Sequence, residues 1–364
     1  MSFERYINCL VDTVKNVYPN YFKKNILKQL SKDGLIINDK RVSPKGQISF
    51  IMNVSYIDDI DSKIEYILKN DDKKICYKYI EEFEFNKAYR HSVIFEVKEF
   101  KFDIIQDLVD ENKILMYKKD STMYDFISTE GDRPTLRVEG NKVYLKFNFL
   151  LKNRELEDIN QYVKYNVLAI IDNEINVLEI RFDRIGLNYK TRHTFYADII
   201  DKVVSKINDL LNITTTTIDF KAVVNYIKEE KDDVSIYAVE LLRNGTIAYL
   251  DASSNEEMII PILGELEQLI DTNQNIFNSN NETKKIKDML KQFIEGIETN
   301  SDLPSVKMIW PEKGIKIGIK HNYKDREYSF FMHYDELGDK ERIDYVTRYL
   351  IECYRELKNK IQSN

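Results

Sequence analysis

Apolar positions recur every three or four residues over 2–17 and again over 20–32, which predicts two amphipathic helices parted by Pro19 and closed by Gly34. In the second, Tyr21, Phe22, Ile26, Leu27 and Leu30 share one side. The period then changes. "LIINDKRVSPKGQISFIMNVSYI" alternates apolar residues about a Pro-Lys-Gly turn, as two short strands joined by a loop do. Helix, helix and a two-stranded wing make residues 1–57 compatible with a winged-helix module. From Asp58 the pattern reads helix ("DDIDSKIEYILKN"), strand ("KICYKYIEEF"), strand ("SVIFEVKEF"), helix ("DIIQDLVDEN") and strand ("KILMYK"), a small α/β unit over 58–130 that ends in the polar loop "KKDSTMYDFISTEGDRP".

A strongly β block follows over 131–218. "TLRVEGNKVYLKFNFLL" alternates Leu136, Val138, Val143, Leu145, Phe147 and Phe149 about Gly140-Asn141, and "YNVLAIIDNEINVLEIRF" repeats the device about Asp172-Asn173, so two antiparallel hairpins are expected. In "YADIIDKVVSKINDLLN" the apolar residues Ile199, Ile200, Val203, Val204, Ile207, Leu210 and Leu211 fall on one helical face suited to cover such a sheet. Over 219–300, Asp219 is placed to cap a helix, Asn244-Gly245 marks a hairpin, and helices are expected at about 255–272 and 282–298, with the polar "DTNQNIFNSNNE" between them as a mobile connector. Residues 301–364 read as a three-stranded meander and a long helix placing Ile343, Val346, Tyr349, Leu350, Cys353 and Leu357 inward. Runs of antiparallel strands closed by helices imply an α+β, multi-domain chain: a helical module followed by β-meander and helix units.

Composition agrees with a folded protein, since 43% of the 364 residues are apolar and 32% charged, with 24 Tyr and 18 Phe to fill a core. The three cysteines, Cys9, Cys76 and Cys353, form no C-x-x-C pair, which points to a reducing cytoplasm and away from disulfides or cysteine-held zinc. The start "MSFERYINCLVDTVKNVYP" carries Glu4 and Asp12 and does not read as a secretion signal. No stretch approaches the roughly 20 apolar residues a bilayer span needs, so no membrane partner is expected.

The net charge of −7 conceals an asymmetry, because residues 1–50 hold nine Lys or Arg against four acids, leaving −12 for the rest. Lys24, Lys28 and Lys32 recur every four residues away from the apolar side of their helix, and Lys40, Arg41 and Lys45 follow in the next loop. In a winged helix such side chains would neutralise phosphates and supply affinity without sequence choice. A second basic set, Lys316, Lys320 and Lys324, lies near Lys313, His321 and Arg326, with Lys316, Gly318 and Lys320 on one strand face; phosphate contact and lysine protection of an exposed strand explain it equally well.

The nearest approach to a catalytic signature is Glu96-Val97-Lys98 in "SVIFEVKEFKFD". Glu-x-Lys on one strand, with an acid such as Glu81 or Glu82 on the strand before it, would hold Mg2+ between carboxylates while the lysine steadies a water or phosphate, as a divalent-metal nuclease requires. The triplet recurs at Glu99–Lys101, Glu229–Lys231 and Glu282–Lys284, as chance predicts in a Glu- and Lys-rich chain. The histidines His91, His193, His321 and His333 are isolated, with His193 near Asp183 or His333 near Asp335 the conceivable general bases. No phosphate loop, dinucleotide fingerprint or nucleophile elbow occurs.

The sequence therefore reads first as a non-enzymatic cytoplasmic binding protein without cofactor, one subunit of an assembly that contacts DNA or RNA through its basic start. A Lys, Asn and Ile bias suggests an AT-rich bacterial genome and hence a nucleic-acid-handling or phage-defence setting. The alternative is a nuclease using Glu82, Glu96 and Lys98 with Mg2+.

Overall fold

Ser2 starts the first helix by accepting a hydrogen bond from the backbone N–H of Arg5 at 3.3 Å, and in the computed structural model this helix, α1, spans Phe3–Asn16. The structure describes residues 2–39, 51–98, 100–117, 131–155, 161–243, 246–251, 263–300, 302–334 and 340–363, with the backbone alone for a few positions of 241–303. Lys40, Arg41, Lys45 and the Pro-Lys-Gly turn lie outside these residues. Two compact units form: Met1–Ile218 with Leu337–Val346, and Asp219–Glu336 with Thr347–Asn364.

In the first unit α1 is followed by α2 (Asn20–Lys32), β1 (Ile36–Ile37), β2 (Met52–Asn53), α3 (Ile60–Lys69), α4 (Cys76–Asn86), β3 (His91–Lys98), α5 (Ile104–Asp110), β4 (Leu115–Met116), β5 (Thr135–Glu139), β6 (Lys142–Lys152), β7 (Tyr162–Asp172), β8 (Val177–Phe182), α6 (Phe195–Leu211) and β9 (Thr214–Thr217). Among the described residues of this unit the sheet runs β9-β3-β8-β7-β6-β5-β4, antiparallel except for β4 with β5. Both expected hairpins are present: Glu139 pairs with Lys142 across Gly140-Asn141, and Asp172 pairs with Val177 across a turn ended by Asn176 at φ 48°.

β7 is buried along almost its whole length, because helices cover both sides of it. On one side α6 packs, with Phe195 5.9 Å from the Tyr165 ring and Lys202 over Phe149. On the other lie α1 to α4, whose cluster includes Tyr6, Leu10, Phe22, Ile26, Leu30, Ile64 and Ile80. Each large apolar side chain removed from water here contributes about 1.5–3 kcal/mol. Thr13 ties the helices to the sheet: its hydroxyl accepts the N–H of Lys164 at 2.7 Å, a donor beyond the last residue that β8 pairs.

Two local expectations are corrected. "KICYKYIEEF" is mostly helix α4, not a strand. Its buried set, Cys76, Tyr77, Ile80, Glu81, Glu84 and Phe85, has helical spacing, but two members are glutamates, so the apolar period is broken in the sequence. β1 and β2 pair in parallel, Ile36 with Met52 and Ile37 with Asn53, so they are not the two arms of a hairpin wing.

The second unit contains α7 (Phe220–Glu230), β10 (Ser235–Arg243), β11 (Thr246–Asp251), α8 (Leu263–Thr272), α9 (Gln274–Phe277), α10 (Asn281–Asn300), β12 (Asp302–Trp310), β13 (Ile315–Lys320), β14 (Phe330–His333) and most of α11 (Glu341–Ser363), whose first residues belong to the first unit. Its strands run β11-β10-β12-β13-β14, all antiparallel. Asp219 caps α7 through the N–H groups of Lys221 and Ala222. Trp310 packs edge-on to Tyr349 of α11 at 5.4 Å, and Phe331 meets Phe220 of α7 at 4.9 Å. Between α8 and α10 the polar connector carries α9. Among the described residues no helix is long and apolar enough to cross a membrane.

Candidate nucleic-acid interface

The lysines of α2 divide by face. Lys23 points inward, 3% exposed, and pairs with Asp61 of α3 at 2.5 Å, fixing the two helices to each other. Lys24, Lys28 and Lys32 point outward and are exposed. Four residues of helix rise about 6 Å, so the three ammonium groups form a row about 12 Å long. They line a groove of about 940 Å3 that also takes in Leu27, Asn38, Asp39, Ile57, Asp58 and Lys63.

Lys63, half-buried on α3, donates to Asn38 Oδ1 at 2.7 Å and adds a fourth cation to the lining. Four lysines against Asp39 and Asp58 leave this lining positive in a protein that is negative overall. Sequence reading missed Lys63 because it lies 31 positions beyond Lys32 and belongs to a helix without a lysine row of its own. At the C-terminal end of α2, Asp33 accepts hydrogen bonds from Gln29 and from the Tyr79 hydroxyl.

Beneath the helices lies an ionic group that the sequence did not announce. Glu81 and Glu84, one turn apart on α4, meet Lys146 of β6 and Lys164 of β7, and all four are at most 1% exposed. Lys146 Nζ is 2.5 Å from Glu81 and 2.8 Å from Glu84, and Lys164 contacts the same two carboxylates. Tyr6 donates to Glu81 at 2.5 Å and Tyr18 donates to Glu84. Burial alone would push the Glu81 carboxyl up, but the charges and hydrogen bonds of Lys146 and Lys164 outweigh it and hold it far below the usual carboxylate range. Burial likewise works against the Lys164 ammonium, and Glu81 and Glu84 more than reverse that. Burial, reinforced by the neighbouring glutamate, drives the Tyr6 and Tyr18 hydroxyls well up. Two cations and two anions, closed off from solvent and saturated by one another, make a structural cross-brace between helix and sheet.

The nuclease residues are not brought together as that reading requires. Glu82 sits on α4, bonded to Arg137 at 2.9 Å and to Asn86, and not on a strand beside β3. Glu96 and Lys98 do share a face of β3, half-buried and exposed respectively, but Glu96 stands opposite Val177 on β8 and Thr216 on β9. Among the described residues no group of three or more His, Cys, Asp or Glu side chains is placed to hold a metal ion.

The histidines are dispersed. His91 is buried 5.7 Å from the Phe182 ring, His193 is exposed, His333 is buried on β14, and His321 is buried with Nδ1 2.9 Å from the Ser329 hydroxyl. Asp183 accepts from Lys87 at 2.7 Å and from the Arg90 backbone N–H.

In the second basic set Lys320 and Lys324 are exposed and Lys316 is half-buried. Register places Gly318 beside Lys307 on β12, between the two strand lysines. Lys307 is surrounded by tyrosines: it reaches the Tyr249 hydroxyl and lies 5.0, 5.9 and 6.0 Å from the rings of Tyr249, Tyr237 and Tyr334. A side chain at Gly318 would bring its Cβ within 2.7 Å of the Tyr334 hydroxyl and 3.0 Å of its ring, so glycine lets that ring lie against the sheet. These three tyrosines come from β10, β11 and the residue that follows β14, which is why no motif signals them. Compared with known proteins, the chain matches no protein-family model, and no curated protein resembles it significantly in sequence.

Proposed function

We propose that this protein is a binding protein that holds the sugar–phosphate backbone of a nucleic acid in the groove between α2 and α3. The observation that carries the reading is that the outward row Lys24, Lys28 and Lys32 lines one groove together with Lys63, on a chain whose net charge is −7. Such an arrangement supplies attraction without base readout, because ammonium groups on flexible stems meet phosphates as point charges and release counterions. Lys40, Arg41 and Lys45, outside the described residues, add three further cations to the sequence between β1 and β2. Work inside a bacterial nucleic-acid-handling or phage-defence assembly is the setting we propose, resting on the Lys, Asn and Ile bias alone.

Fluorescence anisotropy with labelled single- and double-stranded DNA and RNA tests this. The expected result is salt-sensitive binding that weakens at least tenfold in Lys24→Glu, Lys28→Glu, Lys32→Glu and stays unchanged when exposed Lys73, Lys113 and Lys228 are reversed instead. Equal loss in both triple variants, or no binding by the native chain at low salt, overturns it.

A further inference from the structure

The hairpin made by α8, α9 and α10 leaves much of its apolar surface in water. Its inner seam is small: Ile270 and Ile294 are buried, with Leu266, Phe277 and Leu290 packed against them. Outside that seam Leu269 is 54%, Ile276 63%, Ile286 51%, Met289 68% and Phe293 55% exposed. Ile286, Met289 and Phe293 stand at i, i+3 and i+7, so on α10 they form one stripe. Scattered exposed apolar residues need no explanation, but a stripe of three beside two more on a 38-residue segment marks a contact surface.

Charge indicates what covers it. The described side chains of α8 include exposed Glu267 and Asp271 and no cation, whereas over 281–291 α10 carries exposed Lys284, Lys285 and Lys291 with half-buried Lys287 against exposed Glu282 and Asp288, an excess of two positive charges that its later Glu295 and Glu298 offset along the whole helix. Glu267, Lys284, Lys285 and Lys291 make no ion pair among the described residues. A two-fold pairing sets α8 of one copy against α10 of the next, matching acid to base twice while the apolar stripes close on each other. An anionic membrane would suit only the first half of α10 and would repel α8.

The area also fits. α10 is about 30 Å long and α8 about 15 Å, so at about 10 Å per helix two hairpins bury on the order of 900–1,000 Å2. That lies below the roughly 1,200 Å2 at which stable interfaces begin and in the range of weak, transient ones, which makes the association reversible and concentration-dependent. We propose that the α8–α10 hairpin is a self-association surface, joining two copies of this chain through an antiparallel four-helix bundle.

Sedimentation velocity of the full chain without nucleic acid, from about 1 to about 300 μM, tests this independently of the groove. The expected result is a monomer–dimer equilibrium that Met289→Glu with Phe293→Glu shifts at least tenfold toward monomer. Lys284→Glu, Lys285→Glu, Lys291→Glu should dissociate the dimer, and adding Glu267→Lys and Asp271→Lys should restore it. These positions are exposed, and far-UV circular dichroism confirms that each variant stays folded. A monomer across the whole range, or a dimer indifferent to the stripe, overturns the proposal; so does co-flotation of the native chain with phosphatidylserine vesicles that is lost with the stripe while no dimer forms.

Discussion

Lys146 Nζ lies 2.5 Å from a Glu81 carboxylate oxygen, and neither side chain reaches solvent. Lys146 also donates to the backbone carbonyl of Glu81 at 3.0 Å, so one side chain of the sheet grips both the side chain and the main chain of α4. With Glu84 and Lys164 the group is neutral as a whole, which is what makes its burial tolerable.

Removing one member should therefore be expensive. Lys146→Met leaves two buried carboxylates sharing one ammonium and is expected to destabilise the first unit by about 3–5 kcal/mol. Combining it with Glu84→Gln restores neutrality, so the double variant should lose less than the two single losses summed. Chemical denaturation of the four species of this cycle measures the coupling, and simple additivity would show the group to be energetically unconnected.

Acid should weaken both units, each through a named group. For Glu81 the folded pKa is depressed, so its contribution is complete above the unfolded value of about 4.5 and fades as pH falls below it. His321 in the second unit is 8% exposed, and burial, with Lys221 adding to it, lowers its pKa from 6.5 to about 4. Its neutral form is favoured on folding, so this contribution is complete above about pH 6.5 and lost as pH falls through about 4, roughly 3 kcal/mol in all. Thermal melts from pH 7.5 to 4 should show this decline in the native chain and a flatter profile in His321→Gln.

Binding in the α2 groove should leave an ionic-strength signature. If Lys24, Lys28 and Lys32 each neutralise one phosphate, reversing all three flattens the slope of log K against log salt by between about 2 and 3. Lys63→Ala should flatten it by a further fraction of a unit to about one unit. A slope unchanged by the triple reversal would place the contact elsewhere.

Lys98→Ala, at an exposed strand position, should leave stability within about 0.5 kcal/mol of native, and Glu96→Ala, at a half-buried one, should cost somewhat more without unfolding the chain. Incubation of both variants and the native chain with labelled DNA and RNA in Mg2+ should give indistinguishable substrate profiles. Mg2+-dependent cleavage by the native chain that disappears in both variants would replace the binding reading with the hydrolytic one.

All three thiols should resist alkylation in the folded protein. Cys9, Cys76 and Cys353 are at most 5% exposed, and burial pushes Cys9 and Cys353 up to about 11 and Cys76 higher still. Thiolate is the reactive form, so iodoacetamide at pH 8 should label the native chain slowly and the urea-unfolded chain rapidly. Rapid labelling of one native cysteine would locate a region that opens.

The reach of sequence reading followed the strength of local signals. Gly140-Asn141 between alternating runs predicted the β5–β6 hairpin correctly, and Ile200, Val203, Ile207 and Leu211 predicted the covering face of α6, because both patterns arise within a few residues. Over 74–83 the strand expectation fails because Glu81, and Glu84 just beyond, occupy core positions, so hydrophobicity there does not trace burial. The alternation over 35–57 reads as a two-stranded wing, whereas β1 and β2 pair in parallel, a direction that alternation along the chain does not specify.

The sequence by itself determined the α+β class, most helices and hairpins, and the outward lysine row on α2, since each follows from spacing along a single element. Tertiary structure alone decided that Lys146 and Lys164 lie inside. Their alternation is that of a strand with one polar side, yet α1 to α4 cover that side and Glu81 and Glu84 neutralise it. It likewise brought Lys63 into the groove that α2 lines and gathered tyrosines around Lys307. The physical reason is that a side chain's local periodicity fixes the direction in which it points, whereas its dielectric surroundings and its partners come from elements distant in the chain.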